Sequence, residues 1–248
     1  MYWLDWLDWM YFFKWYFILI QIVLIFITAI MFSSENLAKE IRGKKILLVT
    51  AHPDDEVMFF TPFLNYFRGE NITLLCLSNG NSAGLGKIRE KELEKAAKMF
   101  DIKGLEIIDK ENLQDGMDKN WQTNEIITTV MKVVESFQPN AIITFDIAGV
   151  SRHPNHVAIR RAIAFLKTKH SKVVKDVGFW ELESTGLIRK YIGFADVLFS
   201  SRSQYAVLSP SPILAWKAMS THHSQFVWYR KLFVVFSRYI YMNTFRKF

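Results

Sequence analysis

From Trp15 to Phe32 the chain reads WYFILIQIVLIFITAIMF, eighteen residues without a charge. As a helix this run covers about 27 Å, against about 30 Å of bilayer hydrocarbon. Starting at Tyr11 lengthens it, with Lys14 reaching the interface along its methylene stem. Trp3, Trp6, Trp9 and Trp15 fall where an interfacial aromatic belt belongs. The pattern predicts one transmembrane anchor over residues 1–32. A cleaved signal peptide fits poorly, because Asp5 and Asp8 occupy the region that is normally positive and no small-x-small site follows. A buried core helix is the other alternative, and a run this long without a polar face argues against it.

After a polar stretch read as a linker (33–44), the hydrophobic pattern changes. Short runs rich in Ile, Leu and Val predict strands over Lys45–Thr50, Ile72–Leu77, Leu105–Asp109 and Ala141–Phe145. Helical patterns lie between and after them, at Glu56–Phe67, Lys87–Phe100, Asn124–Phe137 and from about Pro154 to Lys167. The strands show no polar alternation, which suits strands covered on both faces of a parallel sheet. Repeated β-α units predict an α/β domain, Rossmann-like, with a mostly parallel sheet and helices on both faces, over residues 45–248. Further strands are expected at Val177–Leu182 and Tyr205–Leu208, and a long helical stretch from near Pro212.

The 248 residues are enough for a core without covalent staples, and the single cysteine, Cys76, excludes an internal disulfide. Cys76 reads as a small buried hydrophobe in a strand. The formal charge of +7 resembles a nucleic-acid signal until it is located. Residues 1–196 are balanced, and after Asp196 there are seven basic residues and no acidic one. No recognition module surrounds them, so a nucleic-acid partner is not expected. Nine aromatics also fall in residues 226–248, so this C-terminal segment is expected either to lie on an anionic lipid surface or to pack as a core helix with a basic face. Flanking charge gives the orientation. Lys39, Arg42, Lys44 and Lys45 follow the apolar run, which places residues 33–248 in the cytoplasm and the N-terminus across the membrane.

Two clusters carry the chemistry. Ala51-His52-Pro53-Asp54-Asp55-Glu56 follows the first strand, and Ser151-Arg152-His153-Pro154-Asn155-His156 follows the fourth at a helix start. In open α/β sheets ligands bind beyond the carboxyl ends of strands, so the two clusters can converge. His and Asp from the first loop with His from the second make a three-ligand site with open positions, as in catalytic zinc centres. Asp54, Glu56 and His153 remain for general acid-base work and oxyanion stabilisation. This is the equipment of a metal-dependent hydrolase. A single N-cap Asp would need none of it. Gly80, Gly84 and Gly86 have the wrong spacing for a dinucleotide fingerprint, and no G-x-S-x-G is present.

AHPDDE followed by HPNH resembles the LmbE-like zinc deacetylases, and more closely their membrane-anchored PIG-L branch. Supporting residues are Thr144-Phe145-Asp146, Gly149-Val150-Ser151, Arg89-Glu90-Lys91-Glu92-Leu93, Ala218-Met219-Ser220, His222 and Trp228. The resemblance implies zinc, or another divalent metal, held by His52, Asp55 and His156. It implies Asp54 as general base, His153 as oxyanion stabiliser or acid, and Arg89, Asp146 and His222 at the substrate. It further implies a glycolipid substrate, N-acetylglucosaminyl-phosphatidylinositol, deacetylated at the cytosolic face of the endoplasmic reticulum membrane in the second step of glycosylphosphatidylinositol anchor synthesis. Deacetylation of a soluble N-acetylglucosamine conjugate and a non-catalytic tethered metal-binding module are the alternatives. One departure stands out: Arg152 occupies a position where the family usually has glycine.

Overall fold

The computed structural model describes residues 3–200, 202–209 and 211–248. In chain order the elements are α1 (Trp3–Ile41), β1 (Lys45–Thr50), α2 (Asp55–Tyr66), β2 (Asn71–Cys76), α3 (Gly86–Met99), β3 (Gly104–Ile107), α4 (Thr123–Phe137) and β4 (Ala141–Phe145). There follow a single turn α5 (Gly149–Arg152), α6 (Pro154–Lys169), β5 (Gly178–Leu182), the short α7 (Leu187–Tyr191) and α8 (Val197–Ser200), and β6 (Tyr205–Leu208). The chain closes with α9 (Ile213–Thr221), α10 (Trp228–Phe236), the turn α11 (Arg238–Tyr241) and β7 (Met242–Lys247).

The seven strands form one sheet in the order β3-β2-β1-β4-β5-β7-β6. The first five are parallel, and β7 pairs antiparallel with both β5 and β6. The alternate side chains of β1 explain its unbroken hydrophobicity. Ile46 and Leu48 face a core shared with α2, α3, α9 and α11, while Leu47 and Val49 face a second core under α4 and α6. Both faces are covered, so residues 46–49 are all apolar and buried. The chain goes from β1 to β2 and β3 on one side, and to β4 and β5 on the other. That reversal of strand order opens a crevice between the carboxyl ends of β1 and β4.

The segment read as a linker (33–44) is ordered helix for most of its length. Leu37, Ala38 and Ile41 are buried in the first core, and Ile30 packs with Val197, Ala206 and Met242. Ser33 Oγ and Ser34 Oγ donate to the carbonyls of Ser203 and Ala206, 2.5 and 2.7 Å. The end of α1 thus covers the outer strand β6, an edge that would otherwise present unpaired backbone groups. Gly43, at φ +72°, terminates the helix in the left-handed conformation that glycine adopts without a Cβ penalty. Phe12–Ile41 is long and apolar enough to cross a membrane, its apolar 18-residue stretch having mean hydropathy 2.5. Phe12, Trp15, Phe17, Leu24 and Ile25 are exposed, which sets aside a buried core helix. The side chains of Trp3 and Trp6, half of the expected aromatic belt, lie outside the described residues.

The C-terminal segment differs from the single long helix that its composition predicts. It breaks after Thr221 and after Phe236 and ends in a strand. Ser237 caps α11 through Oγ, which accepts from Tyr239 N, and Asn243 Nδ2 donates to the Phe59 carbonyl at 2.7 Å, drawing β7 into the sheet beside α2. Most of its basic groups have internal partners. Arg238 pairs with Asp196, Arg246 with Glu181, Lys247 with Glu40 and Arg230 with Asp54.

Candidate metal centre

Asp55 begins α2, and its carboxylate folds back on the loop from β1. Oδ2 accepts from Ala51 N (3.0 Å) and His52 N (2.8 Å), while Oδ1 faces His156 Nε2 at 3.3 Å. One oxygen therefore shapes the loop and the other is directed into the site. His52 Nε2 lies 2.9 Å from Asn155 Oδ1 and 3.1 Å from Asp115 Oδ1. Two acceptors at one nitrogen place the ring proton there and leave Nδ1 as the lone-pair atom.

The second loop leaves β4 through Asp146, whose Oδ1 accepts from Ala148 N and Gly149 N. Ser184 N donates to Asp146 Oδ2 and Ser184 Oγ to Oδ1, joining this loop to the end of β5. Gly149, Val150 and Arg152 all have φ near +60°. For a β-branched residue such as Val150 this is strained, and Arg152 takes the conformation that glycine would take more cheaply. The loop shape is therefore kept despite the substitution, at a cost of roughly 1–2 kcal/mol for the arginine. His153 then caps α6, its Nδ1 accepting from Asn155 N at 3.3 Å, with Pro154 at the first helical position.

His156 lies in the first turn of α6, stacked on Phe145 with ring centroids 4.0 Å apart. Its Nδ1 donates to the Gly149 carbonyl at 3.0 Å, leaving Nε2 buried and without a hydrogen-bond partner. A buried imidazole lone pair, with the opposite N–H anchored on a carbonyl, is how metal-binding histidines are held. His52, His153 and His156 offer nitrogens that all lie within 4.8 Å of one another. His153 accepts at Nδ1, so in its neutral form it presents a donor at Nε2. That suits an oxyanion better than a metal. His52 Nδ1, Asp55 Oδ1 and His156 Nε2 could hold a divalent cation, with Asp115 behind His52 in a carboxylate-histidine arrangement.

The charges follow from burial and neighbours. Burial raises the Asp55 carboxyl, but His156 and His52 outweigh it and hold the group well below the usual range. Burial pushes Asp54 up, against the pull of Arg230 and Arg89. Asp54 Oδ2 lies 2.9 Å from Arg230 and Oδ1 3.6 Å from Arg89. Its backbone is strained, with φ +120°. Burial, with the nearby His52 and His156, pushes His153 down to about 4.

Sequence reasoning brings His52, Asp54, Asp55, His153 and His156 together, and the structure does the same. The three residues given to substrate contact are placed differently. Arg89 is buried beneath the loops: Nη1 donates to the Gly80 carbonyl and Asp115, and Nη2 to the Pro53 carbonyl. Asp146 is spent on its own loop and Ser184. His222 is fully buried, 2.6 Å from Glu56, whose other oxygen accepts from Asp54 N. Each braces a loop through these bonds, while Arg89 Nε and His222 Nδ1 are buried without a hydrogen-bond partner. The residues that sequence reasoning missed are Asp115, in the loop after β3, and Arg230, at the start of α10. The position of Asp115 beyond a strand's carboxyl end was the available signal, whereas Arg230 belonged to no motif.

A protein-family profile described as PIG-L, GlcNAc-PI de-N-acetylase, matches residues 47–166. A probable N-acetylglucosaminyl-phosphatidylinositol de-N-acetylase from Dictyostelium discoideum is 36% identical over 237 residues, covering 81% of this chain and 92% of the relative. The N-acetylglucosaminyl-phosphatidylinositol de-N-acetylase of Bos taurus is 36% identical over 82% of this chain and 83% of its own. Among solved structures, N,N'-diacetylchitobiose deacetylase from Pyrococcus horikoshii superposes with a TM-score of 0.59 at 17% identity, covering 85% of this chain and 86% of that one. A zinc-inhibited teicoplanin deacetylase superposes with a TM-score of 0.55 at 15% identity, covering 82% and 98%. These structural likenesses establish the shared fold, and the sequence relatives go further: the chain belongs to the PIG-L family of GlcNAc-PI de-N-acetylases.

Proposed function

We propose that this protein hydrolyses the N-acetyl group of N-acetylglucosaminyl-phosphatidylinositol, releasing acetate and the glucosaminyl lipid. The observation that carries the reading is the meeting of His52, Asp55 and His156 lone pairs beside the buried Asp54 carboxylate, in a family whose named members perform this reaction. The donor set of two imidazoles and one carboxylate suits Zn²⁺. Bound there, the metal supplies Lewis-acid polarisation and makes water more acidic. Asp54 accepts the proton of the attacking water, helped by a pKa raised through burial, and returns it to the departing glucosamine nitrogen. His153 Nε2–H donates to the oxyanion that develops from the acetyl carbonyl. Arg89 and Asp115 keep the first loop and the His52 ring in register, and the Glu56–His222 pair holds the Asp54 backbone.

The helix α1 anchors the enzyme in the endoplasmic reticulum membrane with the α/β domain in the cytosol. The basic residues from Lys39 to Lys45 support this orientation, and a substrate confined to the bilayer accounts for the anchor. Trp228, Tyr229, Leu232 and Phe236 of α10 are exposed and form the surface that meets lipid. Lys217 and Lys231, both exposed, carry the attraction to anionic headgroups. The test is acetate release from the glycolipid by purified protein, with and without chelator. Chelator-sensitive, zinc-restored release is expected. Undiminished release in the presence of chelator, or none from any loaded sample, refutes the reading.

A further inference from the structure

Beside the metal centre lies a cavity of about 560 Å³, whose walls include Phe59, Ser151, Lys190, Tyr191, Arg230 and Phe233. Three of these join it to the catalytic groups. Phe59 packs edge-on to the His156 ring with centroids 5.7 Å apart, Ser151 stands two residues before His153, and Arg230 pairs with Asp54. A molecule occupying the cavity therefore has its adjoining part at the metal centre. Among the described residues no acidic side chain lines the cavity.

Lys190 is the unusual wall residue. Its neighbours on α7, Leu187 and Ile188, are exposed, whereas Lys190 is buried with 9% of its surface accessible. Nζ donates to the Val150 carbonyl at 3.3 Å and lies 5.8 and 5.9 Å from the ring centroids of Tyr191 and Phe233. Burial depresses its pKa, and no neighbouring charge offsets that among the described residues. Other buried cations of the domain are matched: Arg89 with Asp115, Arg238 with Asp196. An ammonium has three donors, and here the protein uses one. A buried cation without a counter-ion is unfavourable in the protein alone and becomes favourable when an anion enters.

We infer that Lys190, beside Arg230, is the specificity-determining cation that receives the substrate phosphodiester, with the phosphoinositol portion in this cavity and the N-acetyl group at the metal centre. Charge complementarity selects the occupant, since both polar cations of the wall are positive and the remaining surface is mostly apolar or aromatic. Lys190 provides the discrimination, because Arg230 is already committed to Asp54. The exposed Leu232 and Phe236 belong to the same wall and lead toward acyl chains. The inference rests on the substrate proposed above.

The test compares dihexanoyl N-acetylglucosaminyl-phosphatidylinositol with N-acetylglucosaminyl-inositol, which lacks the phosphate. Lys190→Gln keeps a donor for the Val150 carbonyl but removes the charge. The ratio of kcat/KM for the two substrates should fall about tenfold, chiefly through KM, in line with one lost charge-assisted hydrogen bond. Lys190→Arg should restore most of the ratio. Equal losses on both substrates would make Lys190 a structural prop for the strained Val150, and an unchanged ratio would also overturn the inference. Binding of dihexanoyl-phosphatidylinositol by calorimetry needs no turnover. If neither glycoside is hydrolysed, tenfold weaker binding by Lys190→Gln still supports the subsite and the failure belongs to the proposed reaction, whereas equal binding overturns the subsite. In the unaltered protein the same lipid should protect Lys190 from amine acylation read by mass spectrometry. Absence of protection overturns the inference whatever the variants do.

Discussion

Replacing Asp115 with Ala removes the carboxylate behind His52 while every proposed metal ligand keeps its own side chain. Oδ1 lies 3.1 Å from His52 Nε2, and Oδ2 lies 3.2 Å from Arg89 Nη1. The first contact, with the shorter one to Asn155 Oδ1, orients the ring so that Nδ1 is free for the metal. Losing such a partner weakens metal affinity by about 10- to 100-fold, or about 1.4–2.8 kcal/mol. The fold should suffer less, by about 1 kcal/mol, since Arg89 keeps the Gly80 and Pro53 carbonyls. Competition against a fluorescent zinc chelator measures the affinity, and a urea melt of the same sample measures the stability. Asp115→Asn keeps an oxygen acceptor and should fall between wild type and Ala. Ser82→Ala removes the more distant 3.3 Å contact to Asp115 and serves as the control, with affinity unchanged. If Asp115→Ala binds zinc within twofold of wild type, Asp115 does not orient His52 and Asn155 alone holds the ring.

Asp54→Asn should abolish most turnover while zinc content stays near stoichiometric, whereas His156→Ala should lose both; metal analysis beside an acetate assay separates them, and the reverse pattern would exchange the two roles. His222 has its pKa raised, since Glu56 outweighs the effect of burial, so protonation of the pair stabilises the fold. That contribution is full below the unfolded histidine value of about 6.5 and is lost as pH rises through the folded one, so the stability gap between wild type and His222→Gln should narrow above neutrality in urea melts. Arg152→Gly relieves a left-handed backbone at φ +59° and should stabilise the protein by about 0.5–1 kcal/mol; a destabilised variant would show that the exposed arginine contributes more than its strain costs.

The sequence alone determined the elements whose information is local. The runs Lys45–Thr50 and Ala141–Phe145 became strands with those boundaries, because their residues 46–49 and 141–143 are apolar enough to be covered on both faces of a parallel sheet. The two histidine-bearing clusters were legible for a related reason: each follows a strand, and strand ends at a change in sheet order converge. Other features depended on partners far away in sequence. Strand β7 is made of residues whose pattern suits a helix or a strand, and Asn243 and the exposed backbone of β5 and β6 decided between them. The basic excess after Asp196 resembled a lipid-binding face. Its meaning changed once Asp54, Glu181 and Asp196 were seen beside Arg230, Arg246 and Arg238. Arg89 was legible as part of a motif but not as a brace, because its bonds go to backbone carbonyls of Gly80 and Pro53 that no sequence pattern marks. Local periodicity records which side of an element is buried; only the assembled fold shows what each buried charge meets there.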